Sequence, residues 1–206
     1  RNAVVADALL RLCISQPNSQ VAVLAHTRWA SVGIISEPNA HPVNSEELEG
    51  KHDDAYLVAA LNGDVDNHAD LRVQYGLRVA GPITTDAKVI PALVSRKLAT
   101  TKNLTDAFRE TVAQFEGSVA IAVASATEPD KLLLALHGSG QGLCIGLAED
   151  RFVVASEPYG LVEETLNYVR MDGEALADLD NPSSRGQVVT LSGANAGELS
   201  GVQLVS

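Results

Sequence analysis

Cysteine and long apolar runs are scarce in this chain. Its 206 residues include two cysteines, Cys13 and Cys144, and they form no CxxC pair. This scarcity argues against a disulfide framework and favours a reducing, cytoplasmic setting. The longest apolar stretches, such as 119–124, are much shorter than the roughly 20 residues that a membrane-spanning helix needs. The sequence therefore predicts a cytoplasmic chain that does not cross a membrane.

Positive charge is also in short supply. The chain has 15 Lys and Arg against 26 Asp and Glu, which gives a formal net charge of −11. A surface of that sign repels a phosphate backbone, so nucleic acid is not an expected partner. The five histidines show neither i,i+4 nor HExxH spacing, so no metal site is expected. No basic and apolar leader opens the chain, so nothing indicates secretion.

Apolar residues make up 46% of the sequence, which is enough for a packed core. Their spacing predicts helices at 3–13, 67–75, 86–94 and 104–115. Runs of strand length lie at 21–25, 55–61, 118–124, 131–137, 143–147, 152–155, 187–191 and 202–205. Consecutive strands that short turns connect pair in antiparallel fashion. The order of elements therefore predicts an α+β fold rather than an alternating βαβ fold.

Polar residues cluster where some of these apolar runs end. The first cluster, 26–31, directly follows the run at 21–25 and contains Arg28. A guanidinium at a strand end is suited to hold a ligand carboxylate through two parallel hydrogen bonds. The alternative is a surface Arg28 beside a core Trp29.

Asn62-Gly63 and Thr84-Thr85-Asp86 are the other two clusters. The Asn62 amide and the Gly63 N–H are suited to stabilise an oxyanion, whereas the same dipeptide is also typical of a type I′ hairpin turn. Asp86 has the charge to bind a ligand ammonium group, but an acidic residue at a helix start also serves as a cap.

Gly138–Gly142 has the glycine content of a phosphate-binding loop. It lies between two predicted strands and no helix follows it, so the contexts of a P-loop and of a dinucleotide site both fail. A hairpin turn is the prediction for this segment, and no cofactor is expected. Cys144 lies in an apolar run and Cys13 ends an apolar helix, so both are predicted to be inert core residues.

Taken together, the polar segments resemble a known family. His26-Thr27-Arg28-Trp29-Ala30, Asn39-Ala40-His41-Pro42, Asn62-Gly63 and Thr85-Asp86 occur in this order. The set resembles the glutaminase domain of class II, N-terminal-nucleophile glutamine amidotransferases, in the form found in glucosamine-6-phosphate synthase. The first two motifs are the specific ones, and the resemblance covers about residues 20–192. It implies an Ntn-hydrolase αββα sandwich spanning 1–206 as one glutaminase domain.

The resemblance also implies roles for individual residues. Arg28 is expected to pair with the α-carboxylate of glutamine and Asp86 with its α-ammonium group. The Asn62 side chain and the Gly63 N–H are expected to form the oxyanion hole. Ser31 stands where the family has a Thr near the substrate carboxylate, and Trp29 is expected near the exit of the ammonia path.

Three departures from the family pattern affect the expected function. The family uses an N-terminal Cys as nucleophile, with its own amine as base, and this chain begins with Arg1. The sequence therefore predicts a domain that is incomplete at its N-terminus. Val32 replaces a His of the family, and 64–66 adds two carboxylates beside Asn62-Gly63.

Two functional hypotheses follow. The first is glutamine hydrolysis that supplies ammonia to a sugar phosphate, with a Cys-bearing N-terminal segment and a sugar isomerase (SIS) domain as partners. The alternative is a catalytically inactive binding or regulatory module. Retention of Arg28, Asn62, Gly63 and Asp86 favours the first hypothesis, whereas the missing Cys and Val32 favour the second.

Overall fold

A computed structural model describes residues 6–17, 19–27, 31–48, 55–176, 180 and 185–205. Within these ranges the chain forms four α-helices and nine strands. The helices are α1 (Ala8–Ile14), α2 (His68–Gln74), α3 (Val89–Thr101) and α4 (Leu104–Val112). The strands are β1 (Val43–Asn44), β2 (Leu57–Gly63), β3 (Val119–Ser125), β4 (Lys131–His137), β5 (Cys144–Leu147), β6 (Phe152–Ala155), β7 (Tyr168–Arg170), β8 (Gln187–Ser192) and β9 (Val202–Val205).

Six of the strands form an antiparallel sheet in the order β1-β2-β3-β4-β8-β9. The strands β3 and β4 are joined by the short turn at 126–130. Most of the other connections in this sheet are longer. In particular, 64–118 carries three helices between the neighbours β2 and β3. The helices therefore lie between sequential strands without creating a parallel pair, which confirms the α+β prediction.

Local capping explains where the helices begin. The Asn103 side chain accepts a hydrogen bond from Asp106 N–H at 3.0 Å, so Asn103 caps the start of α4. The Asp7 side chain caps α1 in the same way through Leu10 N–H at 2.9 Å. Lys102, in the left-handed conformation, ends α3 and allows α4 to fold back against it.

The helices α3 and α4 cover one face of the six-stranded sheet. The main core lies between these two helices and the sheet. It is built from residues of β2, β3, β4 and both helices. Its fully buried members include Leu57, Ile121, Leu133, Ile90 and Phe108.

A second, three-stranded sheet has the order β6-β5-β7 and is antiparallel. It packs against the other face of the large sheet through a smaller core that includes Leu134, Leu136, Leu143, Ile145 and Met171. The predicted hairpin at Gly138–Gly142 is therefore wrong. Its flanking strands β4 and β5 belong to different sheets, so this loop crosses from one sheet to the other. The short strands β1 and β7 were also missed, because two or three residues carry no detectable period.

The described residues before the large sheet, including α1 and the stretch 21–25, do not contribute to either core. The helix α1 has no buried residue, and Cys13 at its end is exposed, so the prediction of a core Cys13 is wrong. Cys144 is 1% exposed, as predicted, and burial raises the pKa of its thiol. The predicted strand at 21–25 is also wrong, because this stretch pairs with no described strand and no described backbone group bonds to it.

None of the described helices has the length and apolarity that a membrane crossing requires. Within the described ranges, no three His, Cys, Asp or Glu side chains are grouped to hold a metal ion.

Candidate functional site

Three of the polar segments meet beyond the end of β2. The Ser31 hydroxyl donates a hydrogen bond to the Asp64 carboxylate. The Ile34 N–H donates to the Thr84 hydroxyl at 3.4 Å, and the Val65 N–H donates to the Asp86 carboxylate at 2.8 Å. Segments up to 50 residues apart in sequence thus form one cluster. We name it the strand-end site, and it comprises 31–34, 62–65 and 84–86.

Gly63 occupies a position that only glycine fits. Its φ angle is +104°, in the region that side chains disfavour. A Cβ atom built there would lie 2.0 Å from the Ser118 carbonyl oxygen. The chain continues into Asp64 and α2 rather than into a paired strand, so the type I′ hairpin alternative for Asn62-Gly63 is wrong.

The ladder between β2 and β3 sets the direction of the Gly63 N–H. Asp64 N–H donates to the Ser118 carbonyl at 3.1 Å, and Asn62 faces Ala120 in the same register. Because backbone groups alternate in direction along an antiparallel strand, those of Gly63 point away from β3. No described residue outside the ladder accepts a hydrogen bond from this N–H. It is therefore a donor directed at the open side of the strand end.

Asn62 is exposed and lines a cavity between the two sheets. This cavity, which we name the inter-sheet cleft, has a volume of about 980 Å³. Its floor is formed by the alanines of the large sheet, Ala60, Ala120, Ala122 and Ala124, and the stretch 19–27 runs along it. A side-chain amide and a backbone N–H therefore stand next to each other, one on the cleft wall and one at the strand end.

Asp86 is 3% exposed, and its carboxylate faces the strand-end site. One oxygen accepts the Val65 N–H, and the other lies 3.4 Å from the Thr85 hydroxyl. The helical turn that begins at Asp86 has Thr85 as its N-cap, without a side-chain cap bond. The helix-capping alternative for Asp86 is therefore wrong, since its carboxylate bonds across to the chain after Gly63.

Two cations lie at the turn that begins at Asp86. Burial lowers the pKa of Arg72, and the nearby Asp86 charge opposes that shift. The Arg72 guanidinium donates to the Ile83 and Thr85 carbonyls at 3.4 and 3.3 Å. Lys88 belongs to the turn itself and is 1% exposed, and burial lowers the pKa of its ammonium group.

Of the remaining predicted site residues, the structure describes Ser31 but not Arg28 or Trp29. Arg28 and Trp29 lie outside the described residues. Ser31 is described and bonds Asp64, which is one of the carboxylates that distinguish this chain.

Sequence reasoning assigned no role to several residues that build this region. His41 places its ring nitrogens 3.1 Å from the Leu61 carbonyl and 3.2 Å from the Thr85 hydroxyl, so it joins β2 to the Asp86 turn. Its ring centre lies 4.9 Å from that of His26. Asn39 is fully buried beside the same turn. The only signal in the sequence was that both belong to the Asn-Ala-His-Pro motif.

Comparison with known proteins identifies relatives of this chain. No known family profile matches the chain. Glutamine–fructose-6-phosphate aminotransferase (isomerizing) from Pseudomonas aeruginosa is 33% identical over 164 residues, covering 79% of this chain and 25% of the relative. The enzymes of that name from Thermosynechococcus vestitus and Thermococcus kodakarensis are 35% and 31% identical, over 76% and 78% of this chain and 24% and 25% of theirs. The chain therefore spans about a quarter of the length of these relatives.

Two solved structures share the fold. Glutamine phosphoribosylpyrophosphate amidotransferase from B. subtilis superposes with a TM-score of 0.62 at 20% identity, covering 87% of this chain and 33% of its own. A second structure, described as the allosteric regulatory enzyme of purine biosynthesis, gives 0.58 at 20% identity, covering 82% and 31%.

The sequence relatives and the shared fold together identify the chain as a class II glutamine amidotransferase domain with the fold of N-terminal-nucleophile hydrolases. Within that class, the sequence of this chain is related to the glutamine–fructose-6-phosphate aminotransferases.

Proposed function

We propose that residues 1–206 form one glutaminase domain, which hydrolyses glutamine to glutamate and ammonia at the strand-end site. The observation that carries this proposal is the pair of donors at the end of β2. The Asn62 side chain lines the cleft, and the N–H of the adjacent Gly63 points off the ladder at the strand end. Two such donors are what a tetrahedral oxyanion requires.

The chemistry assigns one task to each group. A thiolate attacks the side-chain amide carbon of glutamine, and the carbonyl oxygen becomes an oxyanion between Asn62 and Gly63. The intermediate then collapses with loss of protonated nitrogen as ammonia and leaves a thioester, which water hydrolyses to glutamate. Arg28 and Asp86 hold the α-carboxylate and the α-ammonium group, assisted by Ser31, and Trp29 lies toward the ammonia exit.

The nucleophile comes from a Cys-bearing N-terminal segment outside residues 1–206. Cys144 does not serve, because it is 1% exposed and burial raises the pKa of its thiol. The segment is proposed to occupy the inter-sheet cleft as an added strand. The apolar stretch 21–25 supports this, since its backbone has no described partner and it runs along the cleft. Added strands of this kind form main-chain hydrogen bonds to such edges.

The acceptor of the ammonia is proposed to be a sugar phosphate, bound by a sugar isomerase domain in the same cytoplasmic protein. Two facts support this. The relatives are aminotransferases of fructose 6-phosphate by name, and they are about four times as long as the matched region.

The test uses the full-length protein. Purified protein is incubated with glutamine, and glutamate and ammonia are quantified, with and without prior treatment by a glutamine-like diazoketone. We expect equal amounts of both products, and covalent labelling of one Cys that abolishes them. A variant with that Cys changed to Ala is the control. Glutamine binding without turnover or labelling would instead identify an inactive binding module.

A further inference from the structure

Asn39 is a neutral side chain that lies fully inside the protein, next to the strand-end site. It ends a short helical turn, Glu37–Asn39, and is 0% exposed. A buried amide is costly unless its donors and its acceptor are all used. The partners that satisfy it therefore indicate what the residue does.

The oxygen of Asn39 fixes the backbone just before Asp86. It accepts hydrogen bonds from the Thr84 N–H at 2.7 Å and the Thr85 N–H at 2.9 Å. These two N–H groups immediately precede the helical turn that begins at Asp86. One acceptor with two successive backbone donors sets the path of this stretch, and with it the position of the Asp86 carboxylate.

The nitrogen of Asn39 connects the same stretch to the segment that follows Arg28. It lies 3.1 Å from the Ile34 carbonyl and 2.9 Å from the Ser36 hydroxyl. On the other side it lies 3.3 Å from the Pro82 carbonyl and 3.1 Å from the Thr84 hydroxyl. A single carboxamide thus joins 34–36 to 82–85.

We propose that Asn39 is a positioning residue for amino-acid recognition. It fixes Asp86, the group proposed for the ligand ammonium, relative to residues 34–36. This inference rests on the proposed function, because it assumes that Asp86 and Arg28 bind the two charged ends of the same ligand. A binding site for a zwitterion needs both charges at one set spacing, and a displacement of about 1 Å is enough to weaken it.

The test compares two probes that differ only in the ammonium group. Binding of L-glutamate and of glutarate to the full-length protein is measured by calorimetry, since neither compound is turned over. For the wild type we expect a preference for glutamate of about tenfold or more, typical of one charged hydrogen bond. Asp86→Asn should remove that preference while glutarate still binds.

Asn39→Ala should reduce the preference for glutamate to within about threefold of unity, because Asp86 loses its anchor. Ser36→Ala removes one contact of the Asn39 nitrogen and leaves the Asp86 side intact, and it serves as the matched control. Should Asn39→Ala fail to fold by circular dichroism, Asn39→Ser is measured in its place.

The outcomes separate the two claims. An unchanged preference in a folded Asn39→Ala or Asn39→Ser variant would overturn the positioning role. A wild type without any preference, or an Asp86→Asn variant that keeps it, would instead overturn the proposed site itself. If Asn39 only stabilised the fold, its substitution would weaken the binding of glutamate and glutarate equally and leave the ratio of the two affinities unchanged.

Discussion

The two faces of the six-stranded sheet are built differently from the same strands. The face toward α3 and α4 carries large side chains and joins a core of 22 buried residues. The opposite face joins a core of eight buried residues toward one end and borders an open cleft of about 980 Å³ toward the other. Stability is therefore concentrated on one face, and the space for ligands or partners lies on the other.

Strand β3 shows how the sequence produces this difference. Its residues 119–124 alternate large and small, as Val-Ala-Ile-Ala-Val-Ala, rather than apolar and polar. Successive side chains point to opposite faces, so the valines and Ile121 meet the helices while the alanines form the floor of the cleft. An alanine face presents no polar side chains and leaves the space above it empty. Such a surface is suited to pack against a further layer of polypeptide.

The largest effect is expected at Arg28, on the ligand-binding side of this comparison. Arg28→Ala should abolish measurable glutamine binding by the full-length protein, since loss of a bidentate charge pair costs about 2–5 kcal/mol. Calorimetry with glutamine would check this. Arg185→Ala is the control, because Arg185 is a half-exposed arginine whose ion pair is with Glu174. Normal affinity in Arg28→Ala would remove Arg28 from the site.

A pair of substitutions in β3 tests the two faces directly. Ile121→Ala on the helix face should lower the free energy of unfolding by about 2–5 kcal/mol, because Ile121 is fully buried. Ala124→Val on the cleft face should change it by less than about 0.5 kcal/mol, since the cleft has room for two methyl groups. Urea unfolding of both variants measures the contrast. Equal losses would mean that the two faces are packed alike.

Removal of an oxyanion donor should leave the fold intact. Asn62→Ala should lower glutamine turnover by about 10²–10³-fold, as expected for one such donor. Asn167→Ala removes an exposed amide remote from the strand-end site and should have no effect. Steady-state production of glutamate by the two variants provides the measurement. A change of only a few-fold in Asn62→Ala would argue against an oxyanion role.

Substitution of Lys88 is expected to have a smaller effect than the substitutions above, and to change only the stability of the fold. Its ammonium group donates to the Asn44 and Glu46 carbonyls, each at 2.7 Å, and so fastens β1 and the residues after it to the start of α3. Lys88→Met should lower the free energy of unfolding by about 1.5–3 kcal/mol, because partly buried acceptors lose a charged donor.

The matched control for Lys88 is Lys97→Met. Lys97 is half exposed and pairs with Glu110 on the surface, so its loss should not be detectable by urea unfolding. An unchanged free energy of unfolding in Lys88→Met would show that water replaces the hydrogen bonds of the Lys88 ammonium group.

The sequence was informative wherever a short-range pattern decides the structure. Apolar runs of strand length marked β4, β6 and β9 with their observed bounds. It failed at 21–25, where a strand-like composition has no described strand to pair with. It also failed at Gly138–Gly142, because the choice between a hairpin and a crossing depends on which sheet the next strand joins.

The candidate site shows the same limit. Glycine at 63 was recognisable from its motif, but its contact with Ser118 depends on the register between β2 and β3. Likewise, whether the Asp86 carboxylate caps its own helical turn depended on Val65, which is 21 residues away. Resemblance to a family supplied the grouping of these segments, which local patterns do not contain.

The unequal exposure of the two cysteines has a practical consequence. Cys144 is closed off in β5, while Cys13 is exposed at the end of α1 and borders a hollow that shares Val21 and Ala124 with the inter-sheet cleft. A thiol-reactive fluorophore added to the folded chain of residues 1–206 would therefore attach at a single position. The chain carries its own attachment point for an optical sensor, and the colour or polarisation of the dye would register when that neighbourhood becomes occupied.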